Sequence, residues 1–531
     1  MTPWWRGAVI YQIYPRSFFD SNNDGIGDLA GIAEKLDYVA SLGVDGIWLS
    51  PFFTSPMRDF GYDVADYYAV DPIFGSIEEF DLLVERAHAL NLKVIIDQVY
   101  SHTSDRHPWF LESRSSRTNE RSDWYVWADA RPDGAPPNNW LSMFGGPAWS
   151  WDTQRRQYYL HNYLSEQPDL NFHNPDVQEA ILDVSRFWLD RGVDGFRLDV
   201  ANYYFHDKAL RDNPATGVRD ASRPYQFQHH RYNRSQPETL GFLKRLREVL
   251  DGYDDRMSVA EIASAAHIER SIEYTDGGDR LHTAYNFLFL ESETLTPDLI
   301  RRGLSQWTSR DAWPSWSFSN HDVKRAVSRW GGGEPDPVFA KLLLALLCSL
   351  RGTVFIYQGE ELGLAQADVP FEKLQDPEAI RFWPANLGRD GCRTPMPWQA
   401  MRPNAGFSAA TPWLPVDPKH EAAAVDQQDA LPQSVLNFAR GFLAFRRGRA
   451  ALIAGDIAFH DADDPVLVFE RSAGDERLLC AFNLGAETKR ATLNIGAGLL
   501  RALETGLAGT VENGHTLVLP PFAGVIATTG T

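Results

Sequence analysis

The chain has 531 residues, a formal net charge of −20 at pH 7 and a pI near 5.1. Nucleic acids and anionic membranes repel such an acidic protein, which favours a neutral small-molecule substrate. Three cysteines argue against a disulfide framework, and no signal peptide or membrane span is predicted, so we expect a soluble cytoplasmic protein.

The first hundred residues alternate between strands and helices. Apolar, β-branched runs predict strands at 8–14, 45–51 and 93–99, and apolar residues at helical spacing predict helices at 29–42 and 77–90. Because these strands are almost wholly apolar, they indicate a parallel sheet that is covered on both faces.

The alternation stops and then resumes. Residues 101–174 are rich in Pro, Trp, Asp and Asn and predict a small inserted domain. Five further strands are predicted at 195–200, 257–262, 283–288, 316–319 and 354–358, and helices at 177–190, 239–250, 299–307, 338–350 and 435–446. Eight strands with intervening helices predict an α/β fold, a (β/α)₈ TIM barrel. A doubly wound open sheet is the alternative, but no glycine-rich phosphate loop follows the first strand.

Four segments are therefore predicted. Residues 1–100 and 175–450 form the barrel, with the inserted domain at 101–174 after strand 3 and a long loop at 363–415 after strand 8. Residues 451–531 form a C-terminal antiparallel β-sandwich domain. Its short strands are predicted at 457–460, 466–470, 478–483, 491–495 and 516–520.

Charged and polar residues gather where the barrel strands end. Asp97 ends the third strand, Arg197 and Asp199 the fourth and Glu261 the fifth, and 320–322 (Asn-His-Asp) follow the seventh. Alternate strand residues share a face, so Arg197 can keep Asp199 ionised, either as a structural ion pair or as a carboxylate nucleophile. The C-terminal strand ends of such a barrel surround one site, which favours catalysis over four separate structural roles.

Several motifs in this order resemble the α-amylase family, glycoside hydrolase family 13, on its α-glucosidase and oligo-1,6-glucosidase branch. They are 11–18 (YQIYPRSF), 61–63 (GYD), 97–102 (DQVYSH), 167–171 (QPDLN), 195–199 (GFRLD), Glu261, 318–322 (FSNHD) and 389–398 (RDGCRTPMPW). Ser101 stands where the family usually has Asn. The resemblance spans nearly the whole chain.

The resemblance implies a role for each catalytic carboxyl. Asp199 would be the nucleophile, Glu261 the general acid and then the general base, and Asp322 a third carboxylate that bonds sugar hydroxyls. Arg197 would hold Asp199 ionised. The implied reaction is a retaining double displacement without an organic cofactor.

The resemblance also implies a glucose pocket. His102 and His321 would donate hydrogen bonds to hydroxyls, Tyr62 would stack on the sugar, and Phe172 would offer a second apolar wall unless it packs in the core. Asp63 and Arg389 would pair behind the non-reducing end and make the enzyme exo-acting, with Arg393 as the competing choice for the arginine.

A second site is predicted at 20–28 (DSNNDGIGD). Its oxygen ligands would be Asp20, Asn22, Asp24, the Ile26 carbonyl and Asp28, which match the start of a calcium loop. The closing Glu of such loops is replaced by Gly31. Related α-glucosidases bind Ca²⁺ or Mg²⁺ at such a loop, so a structural divalent cation is expected, with a solvated Asx-turn cluster as the alternative.

The sequence leaves the linkage open. Val200, directly after the predicted nucleophile, resembles enzymes that cut α-1,6 links. The longer stretch from Asn202 to about Pro237 resembles α-glucosidases that favour short α-1,4 substrates and transfer glucose to alcohols, and we give it more weight. The alternatives are an oligo-1,6-glucosidase, a sucrose isomerase or glucosyltransferase of the same fold, and a non-catalytic transporter subunit, which the three retained carboxyls oppose. A monomer or a homodimer is expected.

Overall fold

The computed structural model describes residues 2–263, 266–309, 311–332, 336–493 and 499–530. The strands in this part of the chain are β1 (Val9–Ile13), β2 (Gly46–Leu49), β3 (Phe53–Thr54), β4 (Asp66–Val70), β5 (Lys93–Gln98), β6 (Trp127–Ala128), β7 (Trp149–Asp152), β8 (Gln157–Leu160), β9 (Gly195–Leu198), β10 (Met257–Ile262), β11 (Thr283–Asn286), β12 (Pro314–Ser317), β13 (Thr353–Tyr357), β14 (Asp456–His460), β15 (Val466–Ala473), β16 (Glu476–Asn483), β17 (Lys489–Thr492), β18 (Leu499–Ala502), β19 (Thr510–Glu512), β20 (Thr516–Leu519) and β21 (Gly524–Gly530).

The helices are α1 (Leu29–Ser41), α2 (Ile77–Ala89), α3 (Pro108–Ser115), α4 (Pro175–Asp190), α5 (Thr239–Asp251), α6 (His267–Thr275), α7 (Pro297–Ser305), α8 (Ala326–Gly331), α9 (Pro337–Ser349), α10 (Pro377–Phe382), α11 (Pro418–Glu421), α12 (Val425–Asp429), α13 (Val435–Arg447) and α14 (Ala450–Ala454). Local sequence signals set several of their ends. Asp28 caps α1 by accepting a hydrogen bond from the Gly31 N–H, and Ser76 and Glu79 form a capping box at the start of α2.

A closed parallel barrel is the centre of the molecule. Its strands follow each other in the order β1, β2, β5, β9, β10, β11, β12 and β13, and β13 pairs with β1. The predicted TIM barrel is confirmed, and the open doubly wound sheet is excluded because no barrel strand is left at an edge. The fourth barrel strand, β9, ends at Leu198, two residues earlier than predicted, so Asp199 is the first residue beyond it.

Two smaller sheet regions flank the barrel. Between β5 and α4, the strands β6, β8 and β7 form a three-stranded sheet, and an isolated bridge pairs His102 with Asp169 where this segment returns to the barrel. After α14, a five-stranded and a three-stranded antiparallel sheet share an apolar core that includes Val468 and Leu517. The predicted C-terminal antiparallel domain is confirmed. Part of the strand predicted at 491–495 lies outside the described residues.

Two long connections follow barrel strands at the end where the polar residues gather. Residues 201–237 join β9 to α5, and residues 358–434 join β13 to α13 with only short helical segments. No helix in the described part of the chain combines the length and the apolar character that crossing a membrane requires.

Candidate active site

A pocket of about 770 Å³, including the space at its mouth, opens at the C-terminal ends of the barrel strands. Its walls come from the strand ends, from the inserted segment and from the loop before α13. The lining residues are Asp59, Tyr62, His102, Met143, Phe144, Tyr163, Gln167, Asp199, Val200, Glu261, Ala263, Phe287, Asp322, Glu378 and Arg389.

The guanidinium of Arg197 is fully buried beneath this pocket and joins three carboxyls. Its Nη1 lies 2.8 Å from Asp97 and 2.7 Å from Asp199. Its Nη2 contacts Glu261 and donates to the Tyr285 hydroxyl at 2.7 Å. Because an isolated buried ion is costly, this set of partners is what lets Arg197 stay charged inside the barrel.

Two of the three carboxyls on Arg197, those of Glu261 and Asp199, have raised pKa values that the surrounding charges oppose to different extents. Burial raises the pKa of Glu261 well above its usual range; Arg197 opposes this shift, and the negative charge of Asp199 adds to it. Burial also raises the pKa of Asp199, but Arg197 and His102 oppose that shift. A pair with separated proton affinities suits one protonated acid beside one ionised carboxylate.

Asp322, the third of the predicted catalytic carboxyls, is held in its ionised form. Although burial favours its neutral form, His321, Arg393 and Arg389 together keep the pKa of Asp322 well below its usual range. Arg393 Nη2 lies 2.7 Å and Arg389 Nη1 lies 3.4 Å from Asp322 Oδ1. Arg389 and Arg393, the two candidates for the arginine behind the non-reducing end, therefore both contact Asp322.

His321 is a neutral imidazole behind the pocket wall. Burial lowers its pKa to about 3, and its Nδ1 accepts a hydrogen bond from the Gln12 amide at 2.8 Å. Its Nε2 then carries the proton and faces Asp322 at 3.2 Å and the Tyr62 hydroxyl. His321 thus positions two pocket residues in this structure.

Tyr62 and His102 form one side of the pocket. The Tyr62 ring lies nearly parallel to that of His321, at 6° and 5.3 Å, and its hydroxyl donates to Asp97 at 3.0 Å. His102 bonds the Tyr62 carbonyl through Nε2 at 2.9 Å, while Ser101 Oγ lies 2.8 Å from its Nδ1. Ser101, which replaces the family's usual Asn, therefore fixes the orientation of His102.

The predicted pair of Asp63 with Arg389 is wrong. Arg389 Nη2 instead lies 2.7 Å from Asp59 and 2.9 Å from Asp376. Asp63 is fully buried and accepts hydrogen bonds from Ser55 Oγ and from the backbone N–H groups of 58 and 59. The turn reverses between the two acids at Gly61, where φ is +109° and a Cβ would lie 2.9 Å from the Pro51 carbonyl. Asp59, which the sequence analysis missed, therefore reaches the pocket.

Phe172 is also misplaced as an apolar wall of the pocket. It is fully buried, stacks on Tyr204 at 4.8 Å and packs edge-on against Phe242 at 4.9 Å. The aromatic walls come instead from Phe144 and Tyr163 of the inserted segment, and from Phe287 after β11. No periodicity or motif singled these residues out.

The 20–28 loop forms a network of Asx turns. Asp20 accepts from the N–H groups of Asn23 and Gly25 at 2.7 and 2.8 Å, and Asp28 accepts from Ser21 and caps α1. Asn22 and Asp24 bond each other, and Asp24 accepts from the Ile26 N–H. Within the described ranges, no group of three His, Cys, Asp or Glu side chains is arranged to hold a metal ion. The carboxylate oxygens of Asp20 and Asp24 and Asp28 Oδ2 each accept one hydrogen bond and keep a lone pair, whereas Asp28 Oδ1 already accepts two, from Ser21 Oγ and the Gly31 N–H.

Comparisons with known proteins agree with this architecture. A family model described as the alpha amylase catalytic domain matches residues 12–455. A probable alpha-glucosidase of Rhizobium meliloti (strain 1021) is 56% identical over 536 residues, which cover 99% of this chain and 97% of that protein. An oligo-1,6-glucosidase of Heyndrickxia coagulans is 39% identical over 535 residues, which cover 92% of this chain and 93% of that protein. The crystal structure of an alpha-glucosyl transfer enzyme, XgtA, superposes with a TM-score of 0.97 at 55% identity and covers 100% of both chains.

Proposed function

Since the chain belongs to the α-amylase family, glycoside hydrolase family 13, and is an α-glucosidase, we propose that it releases terminal α-glucose from short α-1,4 glucosides by double displacement. We propose further that part of the glucose is transferred to acceptor hydroxyls other than water. The placement of Asp199 and Glu261 on one guanidinium carries this proposal.

The shared guanidinium supports retention of the anomeric configuration. Retaining enzymes hold their two carboxyls about 5–5.5 Å apart, whereas inverting enzymes need about 6.5–9.5 Å to admit a water molecule. Asp199 and Glu261 bind adjacent nitrogens of Arg197, which favours the closer spacing.

In the proposed first step, an oxygen of Asp199 bonds the anomeric carbon while the bond to the leaving oxygen breaks and Glu261 gives that oxygen its proton. In the second step, Glu261 takes a proton from water, whose oxygen displaces Asp199. An acceptor alcohol in place of this water gives transfer. Asp322 stays ionised near the ring and stabilises the positive charge that develops there.

The closed end of the pocket supports exo action. Asp59 and Arg389 both line the pocket and pair with each other, and the Arg389 guanidinium lies 5.3 Å from the centre of the Phe144 ring; we infer that this pair closes one end of the pocket. A pocket ended by fixed charges can bond the hydroxyls of one terminal glucose and leaves no path for a longer chain. Product analysis from maltotetraose tests this directly, because exo action yields glucose and maltotriose in the first turnovers, whereas cleavage of the central bond yields maltose alone.

The stereochemistry of the product tests the double displacement. Proton NMR during the first minutes of p-nitrophenyl α-glucoside hydrolysis, which releases no second sugar, should show α-glucose before mutarotation produces the β anomer. Initial release of β-glucose would refute the retaining mechanism and leave the family assignment intact.

The linkage is tested by initial rates on maltose and isomaltose. Val200 lines the pocket and favours the alternative of an oligo-1,6-glucosidase, as does the likeness to an enzyme of that name. A clear preference for maltose supports the 201–237 segment as the determinant, whereas a preference for isomaltose makes Val200 the determinant. Isomaltulose or trehalulose as the main product from sucrose would indicate an isomerase.

We also propose that the 20–28 loop holds a structural divalent cation, Ca²⁺ or Mg²⁺. Its support is the set of oxygen donors at calcium-loop spacing, because the lone pairs that remain on Asp20, Asp24 and Asp28 Oδ2 suit a hard cation. Exhaustive dialysis against a chelator should lower the thermal midpoint, and added Ca²⁺ should restore it. A midpoint that neither treatment changes would show that the Asx turns are sufficient.

A further inference from the structure

Four buried amide and carboxyl side chains form a continuous hydrogen-bonded row beside the pocket. Asn162 donates to Asp169, Asn233 Nδ2 donates to Asn162 Oδ1 at 2.8 Å, and Asn213 Nδ2 donates to Asn233 Oδ1 at 3.0 Å. None of the four is more than 3% exposed. We call this set (Asp169, Asn162, Asn233, Asn213) the amide row.

The amide row joins two segments that are far apart in the chain. Asp169 and Asn162 belong to the inserted segment, whereas Asn213 and Asn233 belong to the 201–237 loop. Asn213 also folds the loop on itself, because its Oδ1 accepts from the N–H groups of Arg231 and Tyr232 at 3.0 Å. Asn139 adds a second connection through two bonds to the backbone of Asn213, at 3.0 and 2.8 Å.

The row ends on a carboxyl that carries little charge. Burial raises the pKa of Asp169 to about 8, and hydrogen bonds from Asn162 only partly oppose this shift. A neutral end avoids leaving an unpaired ion in the interior. Buried polar rows fix one geometry when their members are satisfied, and they are costly to break.

From Asn233 the contacts continue to the pocket. The next residue, Arg234, donates to the Tyr203 hydroxyl at 2.9 Å and lies 5.6 Å from the centre of the Tyr203 ring. The Tyr203 ring in turn lies 5.6 Å from that of Tyr163, which lines the pocket. The 201–237 loop begins beside Val200, another lining residue, so its first residues lie next to the site.

We propose that Asn233 is a positioning residue, which holds the 201–237 loop against the inserted segment and thereby sets the selectivity for the leaving group and the acceptor. Asn233 itself touches neither glucose nor the reacting atoms. Loss of its bonds would let Tyr203 and Tyr163 move apart, which widens the leaving-group side and admits both longer chains and more water. The inference rests on the proposed function, because it concerns what lies beyond the scissile bond.

The test compares substrates that differ in how far they extend past the glucose pocket. α-Glucosyl fluoride has a one-atom leaving group that does not reach the loop, whereas maltose and maltotriose reach it. In Asn233→Ala, kcat/KM for maltose should fall at least about tenfold, chiefly through KM, while kcat/KM for the fluoride stays within about twofold of the wild type. The ratio of maltotriose to maltose cleavage should rise, and the transferred share of glucose should fall.

Two further variants make the result decisive. Asn233→Asp keeps the volume and the acceptor for Asn213 but loses the donor to Asn162, so it removes the Asn233–Asn162 bond between the two segments and leaves the Asn139–Asn213 bonds in place. Asn483→Ala is the matched control: Asn483 is a fully buried amide in the C-terminal domain that donates to the backbone carbonyls of Glu487, Leu519 and Pro520. It should change stability and leave the substrate ratios as in the wild type.

Equal losses on the fluoride and on maltose would overturn the inference, as would unchanged maltose constants in a folded Asn233→Ala or Asn233→Asp variant. If the wild type cleaves the fluoride but not maltose, the α-1,4 proposal fails by itself. The same comparison is then made with isomaltose and its longer homologue.

Discussion

Replacing Asp59 by Asn tests which acid closes the glucose pocket. Asp59 Oδ1 accepts from Arg389 at 2.7 Å, and its Oδ2 lies 3.2 Å from the Gln167 amide. The substitution keeps the volume and removes the charge, while Arg389 keeps Asp376. A hydrogen bond to a charged group is worth about 1.5–3 kcal/mol, so kcat/KM should fall roughly 10- to 150-fold.

Asp63→Asn is the matched variant, four residues away and away from the pocket. Asp63 accepts three hydrogen bonds within its own turn, from Ser55 Oγ at 2.9 Å and from the N–H groups of Arg58 and Asp59 at 2.9 and 3.0 Å. Its loss should lower the free energy of unfolding by about 1–3 kcal/mol and change kcat/KM by less than about fivefold. The assays are kcat and KM for p-nitrophenyl α-glucoside and urea unfolding at one pH. A tenfold loss of kcat/KM in Asp63→Asn with near wild-type activity in Asp59→Asn would refute the reasoning.

Three further predictions concern the acid, the pH profile and the core. Glu261→Gln should lower kcat/KM for maltose by about 10²- to 10⁴-fold. The rate of the first turnover on α-glucosyl fluoride should fall far less, because fluoride leaves without a proton. Equal losses on the two substrates would contradict the acid role. The proposed mechanism needs ionised Asp199 and protonated Glu261, and burial raises the pKa of both, so the acidic and alkaline limbs of kcat/KM should both lie above the usual carboxyl range. The alkaline limb should vanish in Glu261→Gln, and its persistence would assign that limb to another group. Phe172→Ala should lower the free energy of unfolding by about 3–5 kcal/mol and leave kcat/KM within about threefold of the wild type. A selective rise in KM would instead indicate that Phe172 contacts the substrate.

The barrel and its central charges could be predicted because they depend on repeating patterns. Apolar strands with charged residues at their ends are visible in the sequence, and Arg197, Asp199 and Glu261 do meet in the structure. The strand period places such residues on one face, and barrel closure brings different strands to one site.

The pocket walls could not be predicted in the same way, because loops set them. Asp59 lines the pocket whereas Asp63 is buried in its own turn, and the backbone between them decides this, because Phe60 has a φ of +51° and Gly61 one of +109°. Tyr163 rather than Phe172 lines the pocket because of how the inserted segment folds back onto the barrel, and no periodic pattern in the sequence predicts that path. The one signal available for Asp59 was its position two residues before the glycine of a turn, Gly61.

Arg197 contacts Asp97, Asp199 and Glu261, so the pKa of Glu261 depends on the charge of Asp199. In the proposed mechanism that charge changes within each catalytic cycle, and the pKa of Glu261 changes with it. While Asp199 is free, its negative charge raises the pKa of Glu261 and works against Arg197. Once glucose is esterified to Asp199, in the proposed double displacement, that charge is gone, and Arg197 is opposed only by burial and by the more weakly acting Asp322 and Asp97. Glu261 then holds its proton least strongly at the stage that needs a base, and regains it when Asp199 is released. In the proposed cycle, the formation and cleavage of the covalent bond at Asp199 therefore determine when Glu261 releases and regains its proton, while Arg197 keeps its charge and its position.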